Sequence, residues 1–244
     1  MTHPEISVLM PTWNVEAYIA EAISSILAQT YGDFEFLIVD DGSTDETSRI
    51  VRSFRDPRIR FFQRPHSGTV YQLNFGLSQA SGNYIARQDG DDRSHPHRFE
   101  RQARFLQDHP EYAVVSSAME LIDQDNQSMG ILHYPAEPDH TKLMGKCCVS
   151  HPASMWRREI HERVGGYDEE FNRNCCEDYD FWLRVVEHYR IRVLDEVLYT
   201  KREHPESSIS QTRWTYVPLY DELARQRARI RHAQKASLSH ESGL

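Results

Sequence analysis

Four times in its first ninety residues the chain runs through the same pattern: a short apolar run, a polar turn, then apolar residues at helical spacing. No other feature restricts the fold as strongly. Ile6–Met10 is the first run, and Pro11–Asn14 is the turn. Tyr18, Ile19, Ala22, Ile23, Ile26 and Leu27 then recur at three- and four-residue intervals, which predicts a helix with one buried face, stopped by Gly32. Phe34–Val39 is apolar almost throughout, as in a strand covered on both faces. The DDGSTDE turn follows, with Ser43 and Glu46 at capping-box spacing for a helix that buries Ile50, Val51 and Phe54. Strand Ile59–Phe62, a helix carrying Val70, Leu73, Leu77 and Ala80, and strand Tyr84–Ala86 complete the series. Right-handed crossovers between such strands give an open, mostly parallel, Rossmann-like α/β sheet flanked by helices.

The second half is less regular. A helix is expected from Ser94-His95-Pro96 to about Leu106, a strand at Ala113–Ile122, a turn at Asp123–Gly130 and a helix at Glu177–His188. Arg190–Leu194 and Val197–Lys201 read as two strands, and Pro218 to about Lys235 as a basic helix. We expect one domain over 1–210, with a tail at 211–244 whose 213–235 stretch is either a membrane-contacting surface or a solvated, oligomer-forming helix.

Composition removes other classes. A net charge of −9 argues against nucleic-acid binding, which needs clustered cations. No stretch reaches the roughly 20 apolar residues of a membrane span, and the N-terminus has no basic, apolar leader. The expected location is cytoplasmic, with peripheral membrane contact open. Cys147, Cys148, Cys175 and Cys176 form two vicinal pairs without metal-site spacing, and are expected as reduced thiols.

In open α/β sheets ligands bind beyond the carboxyl ends of the strands. Those ends carry Trp13, Asp40/Asp41, His66 and Asp89/Asp91/Asp92. Acids packed into Asp89-Gly90-Asp91-Asp92 repel one another unless a cation answers them, and hard oxygens suit Mn²⁺ or Mg²⁺ with substrate phosphate. A solvated acidic turn is the alternative, which the strand-end position disfavours. One of Asp40 and Asp41 can accept from a base or a ribose, while Ser43 serves the helix. Trp13 can stack on a base or simply pack. Acids at Glu177, Asp178 and Asp180 either point into a cleft or answer the helix dipole.

Together these segments resemble the family-2 glycosyltransferases of GT-A fold. The stretch SVLMPTWNVEAYIAEAISSILAQTYGDFEFLIVDDGSTDET is similar to the family's opening. QDGDDRSHPHRFERQ resembles its Asp-X-Asp segment, with Pro96 and Arg98 trailing. HPASMWRREIHERVGGYDEEF, EDYDFWLRV and YTKREHPESSIS resemble its acceptor-side and closing motifs, so that the likeness runs from about Ile6 to Ser210. The resemblance implies inverting transfer of a sugar from a nucleotide diphosphate-sugar (UDP first, dTDP second) to a glycan or lipid-linked acceptor, in cell-surface polysaccharide or glycan synthesis. It divides the domain into a donor half at about 1–118 and an acceptor half at 119–210, with homo-oligomerisation open. Pro11 and Trp13 would line the base pocket, Asp41 would bind the base, Asp89 and Gly90 would lie at the donor, and Asp91 would hold the metal. Asp178 would be the general base, Glu177 would stand on the acceptor side, His151 would stand there or be structural, and His204 would reach metal or phosphate or be structural. Gln88 departs from the family's usual aliphatic residue. A nucleotidyltransferase would need a basic, Gly-rich loop, which PTWNVEAY is not; a non-catalytic module of the same fold is the other alternative.

Overall fold

The computed structural model describes residues 3–172, 176–204 and 217–241. Cys175, the 205–210 loop, Arg213, Tyr216 and the Lys235 side chain lie outside the described residues. Among those described, nine strands form one sheet. The first four are β1 (Ile6–Thr12), β2 (Phe34–Asp40), β3 (Ile59–Gln63) and β4 (Tyr84–Arg87). They are joined through α1 (Ile19–Leu27), α2 (Thr47–Ser53) and α3 (Thr69–Gln79), and stand parallel in the order β3-β2-β1-β4. This is the topology that the repeated pattern predicts.

The second half adds β5 (Arg93–Ser94), α4 (Arg98–Asp108), β6 (Tyr112–Ile122), β7 (Ser128–Leu132), α5 (His140–Gly145), β8 (Met155–Arg157) and α6 (Ile160–Val164). A 3-10 turn at Glu169–Phe171, α7 (Glu177–Val185), β9 (Arg190–Arg202) and α8 (Val217–Glu241) follow. β8 lies antiparallel to both β4 and β6, and so joins the two halves into one sheet.

Side chains that alternate along a strand fall into two cores. Ile6, Val8 and Met10 pack with Phe36 and Ile38 under α1, α2 and α4. Leu9, Leu37 and Val39 face the opposite core, which holds Val70 and Leu73 of α3, Phe181 of α7 and Ala224 of α8. All seven residues of β2 are buried, as a strand covered on both faces must be. A Cβ at Gly76 would stand 2.1 Å from a Leu9 methyl, so glycine lets α3 lie close on β1.

Several local expectations are corrected. Ser43 and Glu46 form no capping box: Ser43 donates to Asp40, and the amide of Thr47 is held by Asp45 at 3.0 Å. α1 ends at Leu27, ahead of Gly32. α4 starts at Arg98 because Ser94 is drawn into β5 against β9. The two strands expected over 190–201 are one, β9, running parallel to β6; pairing jumps from Ser117–Leu194 to Ala118–Val197, which extrudes Asp195 and Glu196 as a bulge. α7 stops at Val185, and β7, α5, β8 and α6 were not foreseen. Each is short, and its apolar period is too brief to stand out.

α8 is tied to the body rather than left basic and bare. Ala224 and Ala228 are fully buried. Arg227 pairs with Asp168 at 2.5 Å, and Arg231 with Glu187 at 2.6 Å. No helix among the described residues is long and apolar enough to cross a membrane. Cys147, Cys148 and Cys176 carry no disulfide.

Candidate active site

The carboxyl ends of β1, β2 and β4 converge, as the parallel order requires. The acidic loop after β4 is packed against the start of α1. A Cβ on Gly90 would lie 3.0 Å from the Thr12 methyl and 3.2 Å from a Val15 methyl, a tight fit that would require those methyls to give way. The carboxylate oxygens of Asp89, Asp91 and Asp92 come within 4.8 Å of one another.

These three acids differ in what already holds them. Asp92 is buried, and its oxygens accept from the Tyr199 hydroxyl at 2.9 Å and the Arg202 amide at 2.8 Å. Burial, then the charges of Asp91 and Asp89, push its carboxyl well above the usual range. It is a structural acid that locks β9 to the loop. Asp89 receives the Arg87 guanidinium at 2.5 Å; burial raises its carboxyl despite that partner. Asp91 is partly exposed, with Oδ2 3.0 Å from Nε2 of His204. Its remaining oxygen and the second oxygen of Asp89 are hard donors, and a divalent cation fits this set better than a thiol or an all-imidazole site would.

Around these acids stand Arg202 and Tyr199, which the sequence did not single out, and Arg98, which it did. Arg202, buried, donates to Glu21 at 2.7 Å and to the Asp91 carbonyl at 3.2 Å. Tyr199 accepts from the Asp89 amide at 3.1 Å while donating to Asp92. Arg98 is buried among neutral acceptors, including Ser94 Oγ at 2.8 Å and the carbonyls of Arg87 and Ser154, and burial lowers it to about 10. Gln88 belongs to the same cluster: its Oε1 accepts from Ser94 Oγ at 2.7 Å, which explains an amide where an aliphatic residue is usual. Tyr199 and Arg202 lay within the quoted YTKREH segment, but nothing in their spacing marks them.

At the β1 and β2 ends, Trp13 is half exposed and stacks on His66, with centroids 4.9 Å apart. Pro11 pairs with Val39 just behind it. The Asp41 carboxylate is buried and accepts from the Ser67 amide at 2.8 Å, the Gly68 amide at 3.0 Å and Gln72 Nε2 at 2.5 Å, with His66 Nδ1 2.9 Å away. Through these partners Asp41 shapes the loop that presents His66.

The third group opens α7. Asp178 is partly buried and accepts from the Tyr179 amide at 2.8 Å. Burial raises its carboxyl to about 6, with Asp221 and Asp89 adding to the effect. Glu177 rises further, to about 8, through burial and then the charge of Asp178. His151 takes the structural place that was one of its two readings. It sits inside the core, 2.7 Å from the Tyr167 hydroxyl and ringed by Trp156 and Trp182, and burial holds it well below the usual imidazole range. It supports the α7 side of the core.

Comparison with known proteins agrees with this arrangement. EpsE of Bacillus subtilis (strain 168), named among glycosyltransferases, is 36% identical over 209 residues, which cover 84% of this chain and 75% of that one. S. aureus TarS 1-349 in complex with UDP-GlcNAc superposes with a TM-score of 0.72 at 24% identity. The mannosyltransferase PcManGT of Pyrobaculum calidifontis, in complex with GDP-Man and Mn²⁺, does so at 0.65 and 20% identity. The matches cover 84% and 86% of this chain respectively, and 60% of each solved chain. The fold is therefore the expected GT-A fold. The family model described as glycosyl transferase family 2 matches residues 7–165, the segment from β1 to the end of α6 that carries the aromatic platform and the acidic loop. The chain belongs to glycosyl transferase family 2.

Proposed function

We propose that this chain transfers a sugar from a nucleotide diphosphate-sugar to an acceptor hydroxyl with inversion, in the synthesis of a surface glycan. The observation that carries this reading is the convergence of acids from two halves. Asp89 and Asp91 come from the loop after β4, Asp178 comes from the start of α7, and Asp89 and Asp178 feel each other's charge.

In this reading the donor base stacks on Trp13, with Pro11 behind it and His66 presented by Asp41. Asp89 and Gly90 lie along the ribose and diphosphate. Asp91 holds Mn²⁺ or Mg²⁺, and His204 completes its surroundings. A bound divalent cation would offset the charge that gathers on the departing diphosphate. Asp178 takes the proton from the acceptor hydroxyl, since an alcohol attacks poorly until a placed carboxylate accepts its proton. A carboxyl near 6 is half ionised just below neutral pH, basic enough to accept a proton yet largely available. Glu177 stays protonated at neutral pH and acts as a donor toward acceptor oxygens. UDP is the favoured nucleotide, with TarS and its UDP-GlcNAc as support. The donor half spans about 1–118 and the acceptor half 119–210.

Calorimetric titration with UDP, dTDP and GDP, each with and without Mn²⁺, tests this. Metal-enhanced binding of one nucleotide is expected. Absence of binding by all three to folded protein would overturn the donor-site reading.

A further inference from the structure

Although α8 lies outside the segment matched by the family model, it reaches the turn that carries Asp178. Cys176 precedes α7 in the left-handed region, at φ 73°, and its buried Sγ donates to Oδ1 of Asp221 at 3.2 Å. A residue with a Cβ rarely adopts that backbone state, so tertiary contacts must hold it. Three residues on, the Tyr179 ring lies 6.0 Å from the Arg225 guanidinium, and its hydroxyl donates to the Leu143 carbonyl. Asp178 stands between these two anchored residues. At the far end of α7, Arg231 pairs with Glu187, and the buried Ala224 and Ala228 let the helices pack closely. α8 is thus fastened at both ends of α7.

We propose that Asp221 is a positioning residue for the transfer reaction: through the Cys176 thiol it holds the turn on which Asp178 is mounted. This rests on Asp178 being the base. The groups facing Asp178 are Glu177 beside it, Asp221 of α8, Asp89 of the acidic loop, the Cys147 thiol, and the Tyr134 and Tyr167 hydroxyls. After burial, Asp221 is the leading neighbouring carboxylate that favours a protonated Asp178.

The test uses the full chain with Asp221→Ala, which removes the acceptor, Asp221→Glu, which retains one, and Cys176→Ser, which retains a donor. Amide exchange over 176–180 and the pH profile of UDP-GlcNAc hydrolysis with Mn²⁺ are measured. Asp221→Ala is expected to speed exchange there about fivefold or more while leaving α4 unchanged. It should also lower kcat more than it changes KM, and move the acid limb of the profile to lower pH. Asp221→Glu and Cys176→Ser should restore most of the wild-type behaviour. Exchange over 176–180 unchanged in Asp221→Ala would overturn the proposal. A wild type that hydrolyses no donor would count against the transfer reading alone, and the exchange comparison would still decide the positioning role.

Discussion

Nε2 of His204 lies 3.0 Å from Oδ2 of Asp91, joining the exit of β9 to the acidic loop after β4 across 113 positions of sequence. The contact depends on β9 running parallel to β6 for its full length. Only then does its end emerge beside Asp92, whose two oxygens fasten Tyr199 and Arg202. Asp91→Asn is therefore expected to abolish most of the Mn²⁺ enhancement of UDP binding while leaving metal-free binding nearly unchanged. Equal enhancement in variant and wild type would remove Asp91 from the metal role.

Asp178→Asn is expected to lower donor hydrolysis or transfer by about 10²–10⁴-fold, the usual contribution of a placed general base. UDP affinity should stay within about twofold, because Asp178, in the first turn of α7, is assigned to the acceptor hydroxyl and not to the nucleotide. Steady-state kinetics and titration on the same preparation separate the two effects, and unchanged turnover would disqualify Asp178.

Trp13→Ala should weaken UDP binding about tenfold, since base stacking on an aromatic ring contributes about 1–3 kcal/mol. Its side chain is half exposed, so the melting temperature should barely move. A loss of stability without a loss of affinity would make Trp13 a packing residue.

Glu177 makes a prediction about stability. Its folded-state carboxyl, near 8, lies above its ordinary value of 4.5. The folded protein therefore keeps a proton that the unfolded chain releases, and stability contributed by this group is present below about 4.5 and lost as pH rises through 8. Glu177→Gln removes that loss. In metal-free buffer it should raise Tm at pH 8.5 by about 2–4 °C for each kcal/mol regained, and change it little near pH 4.5. A variant that gains nothing at high pH would place Glu177 in an ordinary aqueous setting.

Much of the fold was legible because its first half obeys a local rule. Ile6–Met10, Phe34–Val39, Ile59–Phe62 and Tyr84–Ala86 are apolar runs whose partners are fixed by crossover handedness, and all four stand in the expected sheet. The short β7, β8 and α6 were not legible. Three to five residues carry little period of their own, and they form only because β6 or a core helix is there to receive them. The bulge at Asp195 and Glu196 made one strand read as two for the same reason: a break in alternation looks like an end until the partner strand is seen to continue.

The sequence by itself determined which segments bring acids and aromatics to the strand ends, since that follows from the order of strands and turns. Tertiary structure alone decided which of those groups are available. Asp41, Asp91 and Asp92 are alike as letters, yet Asp41 is engaged by the Ser67 and Gly68 amides, Asp92 by Tyr199 and Arg202, and Asp91, partly exposed, meets His204. His151 and His204 divide the same way, one enclosed by Trp156 and Trp182 and the other beside Asp91. A carboxylate has only about four lone-pair sites and an imidazole two nitrogens. Which of them the fold uses up depends on contacts dozens of residues away, and a linear pattern carries no record of those distances.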